Sequence, residues 1–211
     1  MKLYYVPGAC SLSPHIALRE AGIPFQLELM DPRTHKTAGG EDYYAVNPKG
    51  YVPGLRLDDG QVLTEGAVIV QYIADLKPEA ALAPPAGSMA RYRMQEWLNY
   101  IATEIHKSIG TLIHAKAGDE LKEAVRERLR GRLEFMARSL EGRDHLLGEK
   151  FTVADGYAFY ALRSWQNRTQ TDLSAWPFLA RYYDRLGARP AVKKALEAEG
   201  LPLYPAAPKP G

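Results

Sequence analysis

One compositional break constrains this chain more than any other feature. Between Lys77 and Gly87 three prolines and four alanines crowd together, a stretch that suits neither strand nor helix interior and reads as a linker. Before it, strand-like and helix-like patterns alternate; after it, no strand signal occurs. That contrast predicts a mixed α/β unit followed by an all-α unit. The expected partition is 1–77, a linker at 78–87, an all-α unit at 88–204 and a loosely ordered proline-rich tail at 205–211. A chain of 211 residues is long enough for two such cores.

Within the first unit, Lys2–Tyr5 is a short β-rich run. Leu12–Ala21 has helical spacing, with Pro14 in its first turn and Gly22 as its stop. Phe25–Met30 alternates as a half-buried strand does, and residues 31–41 read as a polar loop. Asp58-Asp59-Gly60 joins Leu55–Leu57 to Gln61–Leu63 as a hairpin, after which Thr64 is the expected N-cap of a helix reaching Leu76. The order βαβαββα resembles a thioredoxin-like layout.

In the second unit Ser88 is expected to cap a long helix from Met89 to about Ala117, followed by one over Glu120–Glu141. Thr152-x-x-Asp155 is a capping-box variant that opens a third, with Phe151 a weak staple because Gly156 offers it little to pack on. Shorter helices follow near Ala175–Leu186 and Ala191–Ala198.

A net charge of +2, with 46% hydrophobic and 25% charged residues, gives no footprint for nucleic acid. The basic run Arg126–Arg132 is interrupted by Glu127 and Leu129 and reads as a wet helix face. One cysteine excludes an intrachain disulfide framework and a cysteine-rich zinc site. No apolar run approaches a membrane span, and Pro7-Gly8 halts the apolar stretch after Lys2 before a secretory signal forms. A reducing, cytoplasmic setting is expected.

Four constellations could carry chemistry. Cys10 lies between a strand and a helix, where helix dipole and unpaired N–H groups favour thiolate; Ser11 and Tyr5 are nearby hydroxyls. Cys10-x-x-Ser13 has no resolving thiol, so any disulfide chemistry needs an outside thiol. Pro53 holds Val52 extended; with a cis bond Val52 would present its N–H and C=O for an extended peptide to pair with, and otherwise Pro53 is an ordinary loop proline. Glu65-Gly66 at a helix start could grip an α-amino acid group, or Glu65 could merely complement the dipole. Asn99, Thr103, His106 and Lys107 recur on one side of the long helix, a wet face unless it looks toward Cys10. Glu104 lies between this face and the apolar one, within reach of a neighbouring subunit. His106 has the ordinary range of an acid or base.

These constellations, in this order, resemble the cytosolic glutathione transferases, most closely the bacterial beta class. The carrying segments are Pro7-Gly8-Ala9-Cys10-Ser11-Leu12-Ser13-Pro14-His15, then Asn47-Pro48-Lys49-Gly50 with Val52-Pro53, then Thr64-Glu65-Gly66. Glu96-Trp97-Leu98-Asn99 with Glu104-Ile105-His106-Lys107 follows, then Phe151–Asp155. The resemblance implies a thioredoxin-like domain joined to an all-helical one. Glutathione would be a co-substrate, with no tightly bound cofactor, metal, nucleic acid or membrane partner, and the protein would be a homodimer.

By the same resemblance Cys10, with His106 and Ser11, is catalytic. Cys10, His35, Lys36, Val52, Pro53, Glu65, Gly66, Asn99, Thr103, Glu104 and His106 bind glutathione, and Tyr100, Ile109, Leu112 and Trp165 line the site of an apolar electrophile. One departure stands out: the family pattern Lys-Lys-Thr reads His35-Lys36-Thr37 here. A lysine at the first position would pair with the glycyl carboxylate of glutathione, whereas an unperturbed histidine is mostly neutral at pH 7; Lys36 could replace it. The implied activity is conjugation of glutathione thiolate to small apolar electrophiles, with thiol-disulfide or peroxide reduction through Cys10 as a companion. Reductive dehalogenation, thiol-disulfide exchange and non-catalytic ligand binding are the alternatives.

Overall fold

The computed structural model describes residues 1–204; the tail expected to be loose, 205–211, lies outside them. The chain opens with β1 (Lys2–Tyr5), α1 (Leu12–Glu20), β2 (Gln26–Asp31), β3 (Lys36–Thr37), α2 (Tyr43–Val46), β4 (Gly54–Arg56), β5 (Val62–Thr64) and α3 (Gly66–Leu76). The strands form one sheet in the order β3-β2-β1-β4-β5, with β1 and β2 parallel and the other pairs antiparallel. β1 is central because both its faces are apolar. Leu3 packs with Ile16 and Leu55, while Tyr4 packs on the opposite face with Met30, Tyr43 and Val52.

Two elements depart from expectation here. The polar stretch 31–41 is not all loop. Asp31 accepts from Arg33 N–H at 2.8 Å and Thr34 hydroxyl at 3.1 Å, turning the chain so that Lys36–Thr37 pairs back on Met30–Asp31. Thr64 does not cap α3: it is still paired with Gly54 as the last residue of β5, and Glu65 is the cap residue, at φ +69°. The short α2, which the sequence reading left unplaced, is capped by the Asp42 carboxylate accepting from Tyr44 N–H at 3.0 Å.

Past residue 65 the regular elements among the described residues are all helical, and after α3 and a 3-10 turn at Pro78–Ala80 come the helices of the second half. These are α4 (Met89–Tyr100), a π-helical segment (Ile101–His106), α5 (Lys107–Leu112), α6 (Asp119–Ser139), α7 (Val153–Thr169), α8 (Pro177–Gly187) and α9 (Pro190–Ala198). Ser88 caps α4 as expected, accepting from Arg91 N–H at 3.1 Å. The rod ends at Leu112, short of Ala117, and Ile113–Lys116 are exposed. The penultimate helix starts at Pro177, since the residue before a proline is held out of helical geometry.

Fourteen of the seventeen residues of α7 are buried, and the helix packs against α1, α3, α4, α5 and α8. Asp155 fastens its start: the carboxylate accepts from Thr152 N–H (2.7 Å) and hydroxyl (3.1 Å), Leu146 N–H (2.9 Å) and Tyr182 hydroxyl (2.7 Å). The stretch expected to be a linker is tied down rather than free. Leu82 is buried, its carbonyl accepts Val153 N–H at 2.9 Å, and Arg91 clasps Asp75 at 2.8 and 2.7 Å.

Candidate functional site

A cleft of about 380 Å³ separates the sheet's loops from the helices. Val6, the Gly8–Cys10 turn, Met30, Pro32, His35 and Gly50–Val52 line one wall; His106, Ile109, Gly110, Ile113, Tyr160, Ser164 and Arg168 line the other. Cys10 is half-buried, just before α1, and its thiol donates to the Val52 carbonyl at 3.2 Å. The expected thiolate does not follow. Burial pushes the thiol up to about 11, outweighing the pull of its own and Ser11's backbone N–H and of Lys107. Ser11, expected to be catalytic, is fully buried and absent from the cleft wall. Its hydroxyl accepts from Val6 N–H (3.2 Å) and donates to Val6 carbonyl (3.3 Å), so it shapes the turn that presents Cys10.

Val52 lies beside Cys10, and the Val52–Pro53 bond is cis. Asn47 amide and Tyr43 hydroxyl both donate to the carbonyl of Tyr51, at 2.7 and 3.2 Å, and hold this segment in place. Glu65 sits at the mouth of α3. Its carboxylate accepts from Lys49 at 2.5 Å and Tyr51 hydroxyl at 3.2 Å, and the lysine holds it below the usual carboxylate range. A Cβ on Gly66 would meet only Pro53, at an ordinary 3.7 Å, so the protein itself leaves space there. His35 reaches the cleft with its ring stacked on Tyr44 at 4.6 Å, whereas the exposed Lys36 lies in β3 and is not part of the wall. His35 precedes that strand, in the turn, at φ +53°.

The helical wall corrects the expectation of one polar face. At Ile101–His106 the rod is π-helical, with Lys107 N–H reaching the carbonyl of Ala102 five residues back. A wider turn breaks the 3.6-residue phase. His106 therefore enters the cleft, while Asn99 and Thr103 stay exposed, Thr103 donating back to the Asn99 carbonyl at 3.0 Å. Glu104 turns toward α6, held by Arg128 at 2.9 Å and Arg132 at 2.8 Å. The supposed wet face Arg126–Arg132 thus has a structural task.

His106 lies 2.9 Å from the Tyr157 hydroxyl through Nδ1 and edge-on to Tyr160. Burial, with Lys107 adding to it, lowers its pKa to about 4, so the ring is neutral where an ordinary histidine titrates.

Of the residues expected on the apolar wall, Ile109 is there. Tyr100 is not: it packs with Trp97 and Phe135 and donates to the Arg132 carbonyl at 3.1 Å. Trp165 is buried against Trp176 on another side of α7, and Leu112 packs into the core. The wall is made instead by Ile113 and by Tyr160, Ser164 and Arg168, spaced four apart along α7. That i, i+4, i+8 stripe was visible in the sequence, but only the packing of α7 says which stripe meets the cleft.

The cleft therefore offers a thiol, an extended backbone edge and a neutral imidazole above an aromatic wall, and the Glu65 carboxylate stands outside its lining, joined to it through the Tyr51 hydroxyl. Family models described as "Glutathione S-transferase, N-terminal domain" and "Glutathione S-transferase, C-terminal domain" match residues 8–76 and 100–190. Glutathione S-transferase GstA of Escherichia coli O157:H7 is 45% identical over 201 residues, covering 95% of this chain and 100% of that protein. Among solved structures, a ternary complex of BphK, a bacterial GST, superposes with a TM-score of 0.93 at 55% identity, covering 95% of this chain and 100% of that one. A beta-class glutathione S-transferase of Sphingomonas chungbukensis gives 0.91 at 44%, covering 96% and 100%. With the strand order and the all-helical second half in agreement, the chain belongs to the glutathione S-transferases, and within them to the bacterial beta class.

Proposed function

We propose that this enzyme conjugates glutathione to small electrophiles in the cleft above Cys10, and that it does so as a homodimer. The observation that carries this reading is the meeting of Cys10 thiol and Val52 carbonyl at 3.2 Å, on the wall facing His106. Glutathione would lie extended along Val52, its cysteinyl N–H taking the carbonyl that Cys10 now occupies. The freed Cys10 S–H would then donate to the glutathione sulfur, a role that suits a thiol kept protonated by burial.

His106 is a second donor. Burial raises the Tyr157 hydroxyl, which stays protonated and donates to Nδ1; the ring proton then sits on Nε2. Glu65 and the free N–H groups opening α3 suit the ammonium and carboxylate of the γ-glutamyl end. Pro53 backs Gly66 at that end. His35, with Lys36 behind it, flanks the glycyl end. Asn99, Thr103 and Glu104 turn away from the chain's own cleft and suit contact with a second copy. The sulfur, its proton released to water, attacks the electrophilic carbon; the C–S bond forms and the leaving group departs with its bonding pair.

The test compares wild type with Cys10→Ala, measuring glutathione binding by calorimetry and turnover of 1-chloro-2,4-dinitrobenzene. Turnover about ten- to a hundredfold below wild type, but not abolished, is expected, since one hydrogen-bond donor to an anion contributes ~1.5–3 kcal/mol and the imidazole remains. Loss of glutathione–mixed-disulfide reduction in the same variant would assign Cys10 a separate redox task. Wild-type protein that binds no glutathione would overturn the proposal.

A further inference from the structure

Among the described residues Arg168 is the only formally charged side chain lining the cleft, and no aspartate or glutamate lines it. Among the described residues this guanidinium makes no ion pair. Arg163 on the same helix has no ion pair either, but it faces away from the cleft lining and donates to the Pro202 carbonyl at 3.2 Å, while Arg91 pairs with Asp75, and Arg128 and Arg132 with Glu104. A cation facing an apolar wall with no counter-ion is a site for an anion.

Its position defines which anion. Tyr160, Ser164 and Arg168 form one stripe of α7, each step of four residues advancing about 6 Å. Tyr160 lies edge-on to His106, ring centroids 5.1 Å apart, and lines the cleft with Cys10. The stripe thus runs from the imidazole end of the cleft to the guanidinium. Long helical side chains lean back toward the helix N-terminus, which brings Arg168 toward Ser164 and the apolar floor of Ile109 and Ile113. The wall that would take the glycyl end of glutathione, with His35, lies on the opposite side.

We propose that the cleft selects electrophiles that carry a carboxylate, Arg168 holding the anion while the reacting carbon sits beside Cys10 and His106. This rests on the conjugation reading above. The chemistry is unchanged: sulfur bonds to the carbon, and the leaving group takes the electron pair. Substrates of this class are aromatic or unsaturated acids with the reactive carbon about one helical step from the anion, roughly 6 Å.

The probe is 4-chloro-3,5-dinitrobenzoate against its neutral methyl ester, with wild type, Arg168→Gln and Arg168→Lys. Each pair reports kcat/KM for acid over ester, so intrinsic reactivity cancels between proteins. In Arg168→Gln the ratio is expected to fall at least about tenfold, as for loss of a charge-assisted hydrogen bond. The loss should appear in the KM of the acid, with partial recovery in Arg168→Lys and no change in the KM of glutathione. Equal loss for acid and ester would make Arg168 a helix-end stabiliser and overturn the proposal. A raised glutathione KM with both electrophiles would assign the guanidinium to the glycyl carboxylate instead, and also overturn it. Wild-type protein that turns over neither probe refutes the conjugation reading itself, a result distinct from both.

Discussion

Alkylation of Cys10 tests the electrostatics of the cleft most directly. With the thiol raised from 9.0 to about 11, only about one molecule in ten thousand carries thiolate at pH 7, against about one in a hundred at the ordinary value. A more basic thiolate is intrinsically more nucleophilic. With a Brønsted slope of roughly 0.4–0.5, two pKa units return about six- to tenfold. Cys10 should therefore react with iodoacetamide about tenfold more slowly than a free cysteine peptide at pH 7, before any steric hindrance. Mass spectrometry follows the reaction well, since no other cysteine competes. The rate should climb through pH 9 and level only near 11. A plateau reached below pH 8, or a neutral-pH rate above that of the peptide, would show that the helix mouth and Lys107 dominate and that the burial reasoning is wrong. The thiol is raised in the folded state, so its contribution to stability is complete below the unfolded value and is lost as pH rises toward 11.

Three further outcomes are expected. The ring resonances of His106 should stay flat through pH 6.5 and move only toward about 4; as its pKa is depressed, acid destabilises the fold across that window, and a midpoint near 6.5 in an NMR titration would refute the burial. Asp155→Ala removes the acceptor of four hydrogen bonds in a fully buried position and should cost roughly 3–5 kcal/mol in urea unfolding, with a loss below about 1 kcal/mol contradicting the role of that node. Gly50→Ala meets both a φ of +73° and a Tyr44 ring carbon 2.5 Å from the new Cβ; it should lower thermal stability by several degrees and displace His35, which stacks on that ring, whereas an unchanged melting curve would refute the strain.

Much of this molecule was legible from local chemistry. β1, the hairpin at Asp58–Gly60, the Ser88 cap and the Thr152–Asp155 box rest on signals confined to a few residues, and the structure has them. What failed depended on contacts the sequence does not display. Thr64 looks like a cap until Gly54 pairs with it. Asn99, Thr103 and His106 share a face only if the helix keeps its ordinary pitch, and nothing in Ile101–His106 announces a π turn. Tyr100 and Trp165 are large enough for any apolar wall, but aromatic neighbours claimed them first. The thiol of Cys10 was judged by its helix and not by its burial, which only the closed cleft reveals.

The burial of α7 has a bearing on how such an enzyme can diversify. From Val153 to Gln166 every residue is buried, so almost any change there disturbs packing, and the amide protons of that stretch should exchange with solvent only through global opening. The last turn is different. Asn167 and Arg168 are exposed, yet Arg168 still reaches the cleft. A helix buried along most of its length thus ends in a short exposed tip beside the cleft. Mutation can sample new substrate preferences there at little cost to folding, while the core supporting it remains unchanged.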